Sequence, residues 1–374
     1  MSFTALTALF LLLLLTISAP AQLGIQAVDI SGDSISKGFN AGNAFPCSNG
    51  DQETYNWMTS DTHGSSFCAS GSENVFSVFE RMECDAGMNL IAPLPNHAAS
   101  GATMVANFVS QAGNIRTYLA GEPATRMAVV FLGHNDNCSG SATKVNTSCS
   151  TLDLDPNNYC KTTPDAFERE LRKGLDILMS IGDTRIGVLS PIRVSQLCNF
   201  GTKANCQIGS SCQFLWGNVN ICASLTHDCS STRVMDSYTT MKSFHDIIQR
   251  VTGEYSVIRT GGRSPVVMIG GQIVGGGIKA PGTEFVYSDV PWFYRFSAAQ
   301  ISCCDCFHPS ASGQDTLARL LKNGLFCTRV NPCCKDTGDP LADGKCSTLN
   351  YRQTYYPGLF GSTSTSATIA SDNP

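Results

Sequence analysis

Eighteen cysteines in 374 residues constrain this chain more than any other feature. The number is even, as expected where every thiol is paired, so up to nine disulfides can form in an oxidising compartment. The runs Cys303-Cys304-Asp305-Cys306 and Cys333-Cys334 also carry ligand-type atoms, and zinc is the rival reading. The leader decides between them. Residues 5–17 are an unbroken apolar run of about 13 residues, where a spanning helix needs roughly 20. Ser18-Ala19-Pro20-Ala21 then offers an Ala-x-Ala cleavage site before Gln22. Residues 1–21 therefore read as a secretory signal, although no positive charge stands near Met1. The mature chain is expected to be secreted, extracellular and disulfide-bonded, with no metal. Of two Asn-x-Ser sequons, at Asn137 and Asn146, the first is the poorer acceptor because Cys138 sits inside it.

A formal charge of -5 and a charged fraction of 15% leave no basic stripe to neutralise phosphates, which argues against a nucleic-acid partner. Nor is there a polybasic face for anionic lipid, so contact with a lipid surface would be transient at most. Short runs rich in Val, Ile and Leu alternate with helical patterns, the signature of a parallel sheet covered by helices. Strands are expected at residues 26–31, 89–92, 127–133, 186–190 and 266–270. Helices are expected at 164–181, where Phe167, Leu171, Leu175 and Leu178 recur at three-to-four spacing, and at 310–325. About five strands with crossovers predict a three-layer α/β/α sandwich over residues 22–330.

Residues 196–263 break this pattern with Cys198, Cys206, Cys212, Cys222 and Cys229 among polar residues. They read as a disulfide-stapled insertion bordering the substrate cleft, helical over 233–251. Gly270-Gly271 and Gly275-Gly276-Gly277 lack a Walker lysine and a GxGxxG register, and read as flexible turns. Residues 331–374 are a Cys-containing extension that ends in a Ser/Thr-rich tail with no capacity to pack.

Ester or amide chemistry needs a nucleophile, a base, a group orienting the base, and donors aimed at the oxyanion. Ser34 is the candidate nucleophile, because Ser31-Gly32-Asp33-Ser34-Ile35-Ser36 follows the first expected strand at once and contains a glycine that permits a sharp turn. It would sit at the carboxyl edge of the sheet, where open α/β folds bind ligands. Gly-Asp-Ser alone is equally an ordinary turn, and no GxSxG elbow occurs in the chain, which counts against the α/β-hydrolase plan. Of six histidines, only His308 has a carboxylate three residues before it, Asp305. That spacing can set the aspartate against one ring nitrogen and leave the other for the serine; the competing reading is a helix-capping histidine. The backbone N–H of Gly101, the amide of Asn135 and the N–H of Ser34 are candidate oxyanion donors, each with a turn explanation of its own.

Together and in this order, Gly32-Asp33-Ser34-Ile35, the run ending at Gly101, Gly133-x-Asn135-Asp136 and Asp305-x-x-His308 resemble the sequence blocks of the SGNH, or GDSL, esterase and lipase superfamily. The match spans residues 30 to about 325. The Asp305-to-Ser310 run and the helix behind it look most like secreted phospholipase B relatives. The resemblance implies a flavodoxin-like fold and a serine hydrolase of small-molecule or lipid carboxylic esters, without cofactor. Ser34, Asp305 and His308 would be catalytic, and Ser34, Gly101 and Asn135 would line the oxyanion hole. A carbohydrate acetylesterase and a non-catalytic binding protein of the same fold are the alternatives. Cys303, Cys304 and Cys306 around the aspartate depart from the general family pattern, and bridges there are expected to fix the loop.

Overall fold

The computed structural model describes residues 25–42, 46–59, 75–86, 95–122, 125–138, 148–149, 161–219, 221–259, 268–269, 272–273 and 283–326. At its centre run four parallel strands, β1 (Ala27–Gly32), β2 (Arg126–Phe131), β3 (Thr184–Leu189) and β4 (Thr283–Ser288), hydrogen-bonded in that order. Every residue of β1 and β3 is buried, as required of parallel strands covered on both faces. The covering helices are α1 (Val78–Ala86), α2 (Met104–Gly121), α3 (Pro164–Met179), α4 (Cys212–Val219), α5 (Ser231–Arg259) and α6 (Ala311–Phe326). Helices α2, α3 and α5 pack side by side, α2 against β1 and α5 against β4, while α6 packs against β4 and α1. The result is the expected three-layer α/β/α arrangement.

Local chemistry explains where the helices begin. Thr103 caps α2 by accepting from the N–H of Ala106, and Thr163 caps α3 by accepting from that of Ala166, with Pro164 in the first helical position. The apolar face of α3 then buries Phe167, Leu171, Leu175 and Leu178. Met241, Phe244, Ile248, Val251 and Tyr255 make the matching stripe on α5. The two helices meet through Phe167 and Phe244, stacked with centroids 4.2 Å apart.

Two expectations need correction. The strand expected at 266–270 is not part of the sheet: its described residues, Met268–Ile269, pair antiparallel with Gln272–Ile273. Only Gly270-Gly271 separates the two, the sequence signature of a tight reversal rather than of a crossover. The fourth strand is instead Thr283–Ser288, in which Phe285 and Tyr287 are buried. Secondly, the helix expected at 233–251 within the segment 196–263 is longer, spanning Ser231–Arg259. The helix joins the covering layer, packing against α3 and β4 through an apolar stripe that runs from Tyr238 to Tyr255.

The expected strand 89–92, the signal 1–21, the extension 331–374, Asn146, and the turns at Gly270-Gly271 and Gly275-Gly276-Gly277 lie outside the described residues. Asn137 is fully buried, with Nδ2 donating to Ser237 Oγ at 2.7 Å, and Cys138 is bonded to Cys222, so this sequon offers no room for a glycan in the folded chain. Among the described residues, no helix is long and apolar enough to cross a membrane.

Gly174 of α3 lies against Phe108 of α2, and a methyl group there would overlap the phenyl ring. Gly174→Ala, which on an open helix would gain about 1 kcal/mol, is therefore expected to lose about 1–3 kcal/mol through overpacking, seen as a lower urea midpoint at unchanged slope.

Candidate active site

The residues that leave β1 form a 3-10 turn over Ser34–Lys37. Asp33 starts the turn by accepting from the N–H of Ile35 at 3.0 Å, and Gly38 ends it at φ +62°. Gly32 is required for a reason other than a left-handed turn: the Ser36 side chain occupies the space its Cβ would fill. Gln111 of α2 grips the same glycine on both sides. Its Oε1 accepts from Gly32 N–H at 3.0 Å and from Ser31 Oγ at 2.6 Å, and its Nε2 donates to Gly32 O at 3.0 Å.

The structure brings Ser34, His308 and Asp305 into one chain of contacts. His308 Nε2 lies 2.7 Å from Ser34 Oγ, and His308 Nδ1 lies 2.7 Å from Asp305 Oδ2. Asp305 Oδ1 accepts from the backbone N–H groups of Phe307 and His308, at 2.9 and 3.0 Å, and Oδ2 also accepts from Asn40 Nδ2 at 2.8 Å. Burial alone would raise the Asp305 carboxyl. The opposing charge and hydrogen bond of His308, with the two backbone donors, outweigh burial and hold it below its ordinary value. Phe39 and Phe307 flank the imidazole, with centroids 4.9 and 5.0 Å away.

Three disulfides converge on the turn that carries Asp305: Cys206–Cys303, Cys47–Cys304 and Cys212–Cys306. Asn205 Nδ2 donates to the carbonyls of Cys303 and Cys304, both at 2.7 Å, and Trp216 Nε1 donates to Asp305 O at 3.2 Å. The first half of the cysteine-rich segment is thus tied to this turn by two of these bridges and by the Asn205 and Trp216 bonds. The sulfurs of Cys47, Cys206 and Cys304 lie within 4.8 Å of one another, a spacing a metal could span. All three are oxidised into bridges, and a disulfide sulfur is not the thiolate that zinc takes.

The expected oxyanion donors are joined to each other through a shared loop. Gly101, at φ +79°, precedes Ala102, whose carbonyl accepts from Asn135 Nδ2 at 3.0 Å; the second amide hydrogen of Asn135 remains to be donated. The loop meets β1 through backbone bonds from His97 N to Ile30 O and from Ala99 N to Gly32 O. Asp136, fully buried, ties this region to the start of α2: Oδ2 accepts from Met104 N–H at 2.6 Å and Oδ1 from Thr162 Oγ at 2.7 Å. Burial pushes its carboxyl up to about 6, against those donors.

Several residues of the site escaped the sequence reading. Screening histidines for a carboxylate three residues away is blind to partners brought in by the fold: His134 Nδ1 lies 2.7 Å from Asp33 Oδ2, and His97 Nδ1 lies 2.7 Å from Asp29 Oδ2. Asn40 stands six residues after Ser34 and Gln111 lies deep in a helix, and neither belongs to a chemical motif.

No family model and no curated protein matches the chain. Among solved structures, it is similar to an acetyl xylan esterase from Geobacillus stearothermophilus at 14% identity and a TM-score of 0.37, covering 82% of this chain and 99% of that one. A structure described as that of a carbohydrate esterase is similar at 16% identity and a TM-score of 0.29, covering 82% and 69%.

Because the Asp136 carboxyl is raised in the folded state above its ordinary 3.8, the folded chain holds the extra proton between about pH 4 and 6. This group's contribution to stability is therefore present below pH 4 and is lost as pH rises through 6. Asp136→Asn removes that dependence; relative to wild type, the variant is expected to gain about 3 kcal/mol between pH 4 and 7, measured by urea unfolding across the range.

Proposed function

We propose that the chain is a serine-dependent carboxylic ester hydrolase working through an acyl-enzyme on Ser34. The observation that carries this reading is the 2.7 Å approach of His308 Nε2 to Ser34 Oγ while Nδ1 of the same ring is held by Asp305. Ser34 Oγ attacks the acyl carbon as His308 takes its proton. Asp305 holds the ring in the tautomer that leaves Nε2 free, and stabilises the imidazolium that forms. The N–H groups of Ser34 and Gly101 and the amide of Asn135 receive the oxyanion. His308 then protonates the departing alkoxide, and water, activated by the same imidazole, releases the acid and restores Ser34. Neither a metal nor an organic cofactor enters the scheme.

The reading includes secretion: five disulfides among the described residues suit an oxidising compartment. It also places the chain in the SGNH superfamily, on the four blocks named above. The ester it takes is the finer question, with lipid esters and acetylated carbohydrates as the two arms of a substrate panel.

Ser34→Ala is expected to lower hydrolysis of p-nitrophenyl acetate by about 10³-fold or more with circular dichroism unchanged. A fluorophosphonate should label the wild type at Ser34 and leave the variant unlabelled. Retained hydrolysis in the variant would remove Ser34 from the mechanism, and an unlabelled wild type would point to a silent binding protein of the same fold.

A further inference from the structure

His134 lies directly before Asn135 and has no part in the scheme above, yet its ring is 1% exposed and both of its nitrogens are engaged. Nε2 lies 3.0 Å from the backbone N–H of Ile192, and Nδ1 lies 2.7 Å from Asp33 Oδ2. A backbone N–H can only donate, so Nε2 must present its lone pair. The ring proton then sits on Nδ1 and is donated to Asp33. The tautomer is thus dictated by what surrounds the ring. With Nε2 turned to a peptide N–H, His134 is not available to take a proton from Ser34.

The three partners stand at the carboxyl ends of three neighbouring strands. Asp33 follows β1, His134 follows β2 and Ile192 follows β3. The other oxygen of Asp33 caps the turn that holds Ser34, by accepting from Ile35 N–H. His134 is itself the residue before the 3-10 turn of Asn135–Asn137. One imidazole therefore bonds to the immediate chain neighbour of the serine and is the immediate chain neighbour of the amide donor. Edge contact with Phe131, centroids 4.8 Å apart, and the turn at Gly133, φ +123°, leave the ring little freedom to swing away.

We propose that His134 is a positioning residue that sets Ser34 and Asn135 in register through its Nδ1–H bond to Asp33 and its acceptance of the Ile192 N–H. The proposal rests on the ester-hydrolase reading for its kinetic effect and on geometry alone for its structural effect. A glutamine can offer one donor and one acceptor at this position, whereas phenylalanine keeps a ring and supplies neither.

The test compares wild type, His134→Gln and His134→Phe. With p-nitrophenyl acetate, His134→Phe is expected to lower kcat by about 10²-fold, the scale of a 1 Å misplacement, with KM little changed; His134→Gln should recover most of the loss. Amide hydrogen exchange reads the same proposal without catalysis: the N–H groups of Ile35 and Ile192 should exchange faster in the Phe variant and near the wild-type rate in the Gln variant. Long-range proton–nitrogen spectra of the wild type should show His134 neutral, with its proton on Nδ1. A Phe variant with wild-type kcat and wild-type exchange, or a proton found on Nε2, overturns the proposal. Should the wild type neither hydrolyse esters nor take the fluorophosphonate, the hydrolase reading fails, and exchange and tautomer still decide the role of His134.

Discussion

The bond between His308 Nε2 and Ser34 Oγ joins residues 274 positions apart, and a contact of that span has to be assembled by everything between them. Strand β1 delivers the serine and the entry to α6 delivers the histidine, but two strand-and-helix units alone would leave their loops free to drift. The loops are stitched together directly. Ala311 N–H donates to Ala41 O at 2.7 Å, Ser302 Oγ donates to Asn40 O at 2.7 Å, and Asn40 Nδ2 reaches Asp305. Each such bond contributes about 1 kcal/mol net, yet stripping one partner from a buried pair costs about 1–3 kcal/mol. The stitches therefore resist loss of any one member more than their individual strengths suggest.

The cysteines act on the same problem from the other side. Cys303, Cys304 and Cys306 send bridges to Cys206, Cys47 and Cys212, closing stretches of 97, 257 and 94 residues. In the chain-entropy account, a loop near 100 residues restricts the unfolded state by about 4–5 kcal/mol, and loops that overlap contribute less than their sum. Such reinforcement suits a turn that holds Cys306 at φ +59°, a conformation costing a residue with a Cβ about 1–2 kcal/mol. The segment from 196 to 229 is thus bonded to the turn at two points. Its helix α4 brings both Cys212 and Trp216 to the turn, the one bonded to Cys306 and the other donating to Asp305 O.

What the sequence disclosed follows from the range of the forces involved. Helix α3 was readable because its cap, Pro164 and its apolar spacing are all local. Strands β1, β2 and β3 were readable because burial on both faces concentrates apolar residues. Strand β4 was not: Thr-Glu-Phe-Val-Tyr-Ser is polar at both ends, and the run at 266–270 is the more apolar of the two. The pairing of Ser34 with His308 and Asp305 was legible because Asp305 and His308 share a turn and Ser34 follows a strand. Asn40, Gln111 and His134 were hidden, since their partners, at 305, 32 and 33, are set by packing and leave no trace in spacing. For the same reason the cysteine count announced bridges without their connectivity.

Two buried carboxylates at this edge of the sheet show how the fold assigns different work to one functional group. Burial prevails at Asp136 over hydrogen bonds from the Met104 and Val105 N–H groups and the Thr162 hydroxyl, and the charge of Asp33 adds to it, so its carboxyl is raised to about 6. Asp305 is as deeply placed but faces an imidazole, two backbone N–H groups and the Asn40 amide, and its carboxyl is lowered. Only the second can remain an anion across the range in which an imidazole gains and loses a proton. At similar depth, the charge each carboxyl faces separates them: the imidazole of His308 favours the anion at Asp305, whereas Asp33 adds to the effect of burial at Asp136.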